Sequence, residues 1–282
     1  MEERKLLSYI QDILENIPSD WLNLTTHRLD IYEEKLAKVQ FLEQFENLYE
    51  ASNAKASALS VLPTAYDYIR LGHPLSCVLE WTIAKMQNLP SDNVISFSSK
   101  TTPILAILRK NLLENKDSRI VYTNALPASL DIEILRSIYG YKFEVQKVDH
   151  IKQVHAFNGS TIFVSSHSDF SSFPASSEID FFIHTYASLG SILIINGTDD
   201  ENYVSAIQHM RRRETIAMTP SNCLLALDSL AHKSPIKKDN TDVATNKALA
   251  KASIKSITES PTQALIGSSG LSIQYALSLI HI

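Results

Sequence analysis

The 282-residue chain has little glycine: 7 residues in all, against about 7% of residues in an average protein. Glycine-lined loops that let the backbone approach a ligand closely are therefore few. Its two cysteines, Cys77 and Cys223, lie far apart with no Cys-x-x-Cys or Cys/His spacing, which excludes a zinc knuckle and a disulfide framework and points to buried thiols in a reducing compartment. No apolar run approaches the ~18 residues of a membrane span, and no apolar stretch follows Met1-Glu2-Glu3-Arg4-Lys5 as in a secretory leader. Positive charge is in deficit, with a net charge of −5 and a pI near 6.0. Clusters such as Arg211-Arg212-Arg213 are too small for a nucleic-acid groove and read as a solvated helix face. The expectation is a cytoplasmic protein that binds neither nucleic acid nor membrane.

What is present is a 44% hydrophobic, 20% charged composition, enough for one large or two modest domains. Apolar residues recur at helical intervals through Leu6, Ile10, Ile13, Leu14 and Ile17, then Leu36, Val39, Leu42, Phe45 and Leu48. Residues 1–62 are thus a helical N-terminal segment, either a dimer-contacting arm or a peripheral layer. From Pro63 short apolar runs alternate with helices, the pattern of an α/β domain with a mostly parallel sheet flanked by helices. Strands are expected at Val94–Phe97, Arg119–Tyr122, Phe143–Val148, Thr161–Val164, Ile179–Ile183 and Ser191–Ile195. Helices are expected near Cys77–Gln87, Pro103–Asn111 and Leu130–Tyr139, the last stopped by Gly140. This domain occupies 63–232. A connection rich in Ser, Thr and Lys follows, with a helix around Thr245–Ile257, and 233–276 reads as linker and the start of a truncated C-terminal domain. Leu277–Ile282 is what a transposon-end sequencing adapter encodes, so these six residues are expected to be foreign, with the natural chain continuing past Ala276. No internal repeat is found.

The most informative block is Tyr66-Asp67-Tyr68-Ile69-Arg70-Leu71-Gly72-His73-Pro74-Leu75, followed by Leu79-Glu80 and Ala84. It resembles the pyridoxal-phosphate (PLP) enzymes of cysteine and methionine metabolism, cystathionine γ-synthase, cystathionine β-lyase and methionine γ-lyase. Their pattern runs Tyr-x-Arg, a gap, Asn-Pro-Thr, then Leu-Glu. Here His73 and Leu75 replace Asn and Thr. Ile95–Ile104 sits where that family has a strand, Ser-Gly-Met and a helix, and Thr219–Leu225 is similar to its Ser-Pro-x-Asp-Ala-x-Leu.

The resemblance implies the large domain of the type I PLP fold in incomplete form, with pyridoxal 5′-phosphate as cofactor, a sulfur amino acid as substrate if the chain is active, and a homodimer or higher oligomer. Cofactor contacts would come from Tyr68 and Arg70, reaching the phosphate of a neighbouring subunit, and from a phosphate cup at Ser98, Ser99, Lys100 and Thr101. Bland alternatives stand beside each: Tyr68 and Arg70 as a surface pair, Ser98-Ser99 as a helix cap, and His73, His184 and His209 as structural histidines. Phe181, Phe182 and Tyr186 read as core, and Lys233, Lys237 and Lys238 as solvated charges.

Against the family pattern, Lys100-Thr101 replaces Gly-Met, and Asn124-Ala125-Leu126-Pro127 lacks the ring-stacking tyrosine, for which Tyr122 is the nearest substitute. The second half aligns in two registers. In one, Ile194-Ile195-Asn196-Gly197-Thr198 matches Asp-Asn-Thr with the pyridine-pairing Asp lost. In the other, which is preferred, Ile179–Ser188 matches the strand and turn leading to the Schiff-base lysine, with Asp180, His184 and Thr185 in place and Ser188 where the lysine belongs. Neither supplies the lysine, so no catalytic residue is assigned. Three functional readings remain open. They are a non-catalytic homologue pairing with itself or an active paralogue, an active PLP lyase or γ-synthase represented by an incomplete sequence, and an α/β interaction module without PLP ancestry.

Overall fold

The computed structural model describes residues 2–23, 34–63, 68–170, 173–197, 201–237 and 243–262, with a few single positions beyond. Tyr66, Asp67, Thr198, Lys238 and 278–282 lie outside the described residues. In chain order the elements are α1 (Glu2–Glu15), α2 (Glu34–Glu50), α3 (Ala56–Leu59), α4 (Pro74–Gln87), β1 (Val94–Phe97), α5 (Thr102–Leu113), β2 (Ser118–Tyr122) and α6 (Ile132–Ser137). They continue with β3 (Phe143–Lys147), β4 (Ser160–His167), β5 (Phe181–Tyr186), β6 (Gly190–Ile195), α7 (Glu201–Glu214), α8 (Pro220–His232) and α9 (Val243–Thr258). Compact units run from Met1 to Ile236 and from Lys237 to Ile282, the second containing α9.

The first unit is an α/β layer structure around one six-stranded sheet in the order β1-β6-β5-β4-β2-β3. The pairs β3/β2, β2/β4 and β4/β5 are parallel, while β6 runs antiparallel to both β5 and β1. β1, β5 and β6 are buried along their full length, which is why their sequences read as continuous apolar runs rather than alternating ones.

Side-chain alternation divides the core between the two faces. Phe163, Phe182, Tyr186, Ile192 and Ile194 pack with residues of α1, α2, α4 and α8. Ile162, Val164, Phe181, Ile183, Leu193 and Ile195 pack with α5 and α7. The N-terminal helices thus form a layer over their own chain. Tyr9, Phe45, Tyr49 and Trp81 join them to α4 through edge-to-face rings 5.1–5.9 Å apart, each such pair adding about 0.5–1.5 kcal/mol beyond its buried area.

Local signals set the helix that positions the matched block. His73 is extended and caps α4, with Pro74 at the first helical position and Asn88 left-handed after the last. No helix among the described residues is long and apolar enough to cross a membrane.

Candidate functional site

The turn between β1 and α5 holds the four residues of the expected phosphate cup. Ser98 is tied to the segment after α7: its N–H donates to Ile216 O at 3.2 Å, and its hydroxyl lies 3.3 Å from Ile216 O and from Thr215 Oγ1. Ser99 Oγ accepts from the N–H groups of Thr101 and Thr102 at 3.2 and 3.1 Å and from the Thr102 hydroxyl at 2.9 Å. Those are donors that a helix start would otherwise turn toward an anion. Pro103 brings no N–H to replace them. Lys100 Nζ donates to the carbonyl of Ala187 at 2.7 Å.

Ala187 belongs to the hairpin joining β5 to β6. Tyr186 pairs with Gly190, so only Ala187, Ser188 and Leu189 make the turn. Gly190 has φ +119°, and a Cβ there would lie 2.1 Å from Phe97 O and 2.9 Å from Ser98 Cα; only glycine lets the hairpin sit this close to the β1–α5 turn. Ser191 Oγ donates to Ser99 O at 2.6 Å, and Asn222 Nδ2 donates to Leu189 O at 3.1 Å and Ser188 O at 3.4 Å. Ser188 itself is exposed.

Asn196 lies at the other end of β6. Its amide donates to Ser176 O and Ile179 O, both at 2.8 Å. In the antiparallel β1/β6 pair Ile194 faces Val94 while Ser191 faces Phe97. Ser188 is therefore at the cup's end of the sheet and Asn196 at the opposite end. Asp180 serves the backbone, accepting from Thr161 N at 2.7 Å.

Tyr68 and Arg70 sit before α4. The guanidinium lies 5.2 Å from the Tyr68 ring centroid, and Arg70 Nη1 donates to Arg212 O at 3.4 Å. The extended residues after α7 link this turn to the cup: Ala217 N donates to Ile69 O, and Ile216 O accepts from Ser98 N. His73 is structural. Its Nδ1 accepts from Ser76 N at 3.2 Å and its Nε2 meets Met218 O at 2.7 Å, which fixes the proton on Nε2. Burial pushes its pKa down to about 4, against smaller upward pulls from Met218 O and Glu80.

A buried charge cluster underlies both turns. Glu80 is 2% exposed and meets Lys38 Nζ at 3.0 Å and Arg211 Nη1 at 3.1 Å. Its Oε1 also accepts from Ser96 N and Ser96 Oγ at 2.9 and 2.8 Å. Burial alone would raise the pKa of Glu80, but the two cations and the Ser96 N–H outweigh it and hold the carboxyl below its ordinary value. Arg211 also donates to Ser96 O and Leu71 O at 3.0 and 2.8 Å. Reading Arg211 as part of a solvated face is corrected here: it is 4% exposed, and only its neighbours Arg212 and Arg213 reach solvent. The signal was Glu80 itself, a carboxylate within the apolar stretch Cys77–Ala84 that needs a buried cation.

No protein-family model matches the chain, and no curated protein sequence does. Among solved structures it is similar to metB from Corynebacterium glutamicum, at 15% identity over 60% of this chain and 54% of that one, with a TM-score of 0.40. It is similar to a putative O-acetylhomoserine (thiol)-lyase (metY) from Campylobacter jejuni, whose structure carries pyridoxyl-lysine monophosphate at its position 205, at 14% identity over 58% of each chain and a TM-score of 0.36. A third is cystathionine gamma-lyase from Lactobacillus plantarum complexed with L-serine, at 10% identity over 79% of this chain and 63% of that one, with a TM-score of 0.41. The chain spans less than two thirds of each, and at these identities the likeness carries no chemistry across.

Proposed function

We propose that the chain is a non-catalytic scaffold descended from the PLP-dependent enzymes of cysteine and methionine metabolism, with Ser188 in the place of the Schiff-base lysine. The observation that carries this reading is a convergence. The turn assigned by resemblance to the phosphate and the turn assigned to the lysine lie about ninety residues apart in the sequence, yet they meet at one end of the sheet through Lys100 Nζ to Ala187 O and Ser191 Oγ to Ser99 O. The register with Ser188 in the lysine position needs this juxtaposition, whereas the alternative puts Asn196 at the far end.

PLP, when bound, supplies an electron sink at the substrate's carbons, and the protein must hold its phosphate and offer an amine. The residues present do not fit that task. The donors of Thr101 and Thr102 are spent on Ser99, Lys100 is spent on the hairpin, and Gly190 seals the hairpin against Ser98. What the Tyr68/Arg70 turn retains is a half-buried face carrying a guanidinium beside an aromatic ring, suited to a second copy of the chain or a catalytically intact paralogue.

Equilibrium dialysis of the full chain against pyridoxal phosphate tests this. The expected result is no saturable binding beyond that seen with inorganic phosphate. Saturable one-to-one binding lost in Arg70→Ala or Ser99→Ala would contradict it.

A further inference from the structure

The C-terminal ends of β4 and β5 carry a separate group of side chains. Ser165 faces His184 across the two parallel strands, and alternation along β4 puts His167 on the same face as Ser165. Ser165 Oγ lies 2.7 Å from His167 Nε2 and 3.2 Å from His184 Nδ1, and the two ring nitrogens are 3.0 Å apart. We propose that Ser165, His167 and His184 form a binding site for one divalent transition-metal ion of the zinc class, ligated by His167 Nε2 and His184 Nδ1, with the Ser165 hydroxyl and water completing the shell.

The triangle is small enough that a single point lies about 2.1 Å from all three corners, the usual zinc–nitrogen distance. Two imidazoles select zinc, nickel or copper over magnesium or calcium, which prefer carboxylate and carbonyl oxygen. Among the described residues no three His, Cys, Asp or Glu side chains converge on a metal position. The third corner is therefore a hydroxyl, and the affinity belongs to an exchangeable site rather than a structural zinc.

The surroundings favour ligation. His184 is fully buried, its Nε2 has no hydrogen-bond partner, and its ring meets Phe173 edge-to-face at 5.2 Å. With its proton on Nε2, His184 directs the Nδ1 lone pair at the triangle. His167 is only half-buried, so one side of the site stays open to water. The Asp169 carboxylate adds negative charge near His167, which favours a cation at this end of the strands. Nothing in this inference depends on descent from PLP enzymes.

The test is titration of the chelator-treated full chain with Co2+, read by its visible absorption, and then with Zn2+ by calorimetry. One equivalent should bind, and Zn2+ should raise the unfolding temperature. His167→Gln, at the half-buried ligand, should keep the metal-free unfolding temperature and lose at least about tenfold in affinity. His209→Gln, an exposed histidine on α7, should leave binding unchanged. Failure of the unaltered chain to bind one equivalent, an unchanged affinity in His167→Gln, or an equal loss in His209→Gln would each overturn the proposal.

Discussion

Glu80 is ionised inside the protein because Lys38, Arg211 and the Ser96 N–H all converge on it. Glu80→Ala would strip buried Arg211 of its carboxylate partner and leave Lys38 only the more exposed Asp92 at 3.1 Å, a change that costs about 3–5 kcal/mol where a buried pair is broken. Urea unfolding should show a loss of unfolding free energy of that size, and a loss below about 1 kcal/mol, the value of an exposed pair, would contradict it. His73 gives a pH dependence with a definite sign. Its folded pKa of about 4 lies below the ordinary 6.5, so the unfolded chain binds the extra proton between those values. The stability it contributes is present above pH 6.5 and is lost as pH falls toward 4, at up to about 1.4 kcal/mol per pH unit. His73→Asn keeps a capping side chain and removes the titration. Unfolding between pH 6.5 and 5 should then lose one proton's worth of slope relative to the unaltered chain, and an identical slope would mean His73 is not the titrating group.

At the scale of elements, the β5–β6 hairpin is tight on one side and free on the other. Gly190→Ala drives a methyl into Phe97 O at a positive φ and should destabilise by more than about 1 kcal/mol, since a positive-φ glycine has no cheap replacement. Ser188→Lys, at an exposed turn position, should change stability by less than about 0.5 kcal/mol. It should also fail to create a Schiff base with PLP. A stable imine in that variant would mean the cup can still open.

Strands β1, β5 and β6 were legible in the sequence because full burial leaves uninterrupted apolar runs: Val94–Phe97 agrees with its expected limits, and β5 and β6 start or stop within a few residues of theirs. The strand expected at Thr161–Val164 extends to His167. Its last residues are the polar Ser165, Ser166 and His167, which no apolar pattern marks, and the metal-site geometry went unread for that reason. Ser99 as a helix cap was open in the sequence beside the phosphate reading, and its hydroxyl accepts from the first α5 N–H, that of Thr102, and from Thr101 just before the helix. Arg211 was illegible because a basic triplet gives no sign of which member turns inward.

At the scale of the molecule, α1 and α2 share one continuous core with α4 and α8, so a chain beginning at Pro63 would expose Trp81, Val78 and the α8 face. Such a truncation should be insoluble or lack a cooperative thermal transition. A cooperative, soluble 63–236 fragment would contradict this.

The convergence of the β1–α5 and β5–β6 turns was not visible in any one segment, because it depends on β6 inserting between β1 and β5. That arrangement underlies the central claim, a PLP-enzyme scaffold with its cup closed and its lysine replaced. The direct measurement is an absorption spectrum of the full chain with pyridoxal phosphate, followed by borohydride reduction and peptide mapping. The account predicts no visible imine band and no single lysine carrying the reduced adduct; a band that borohydride fixes stoichiometrically to one lysine would contradict it.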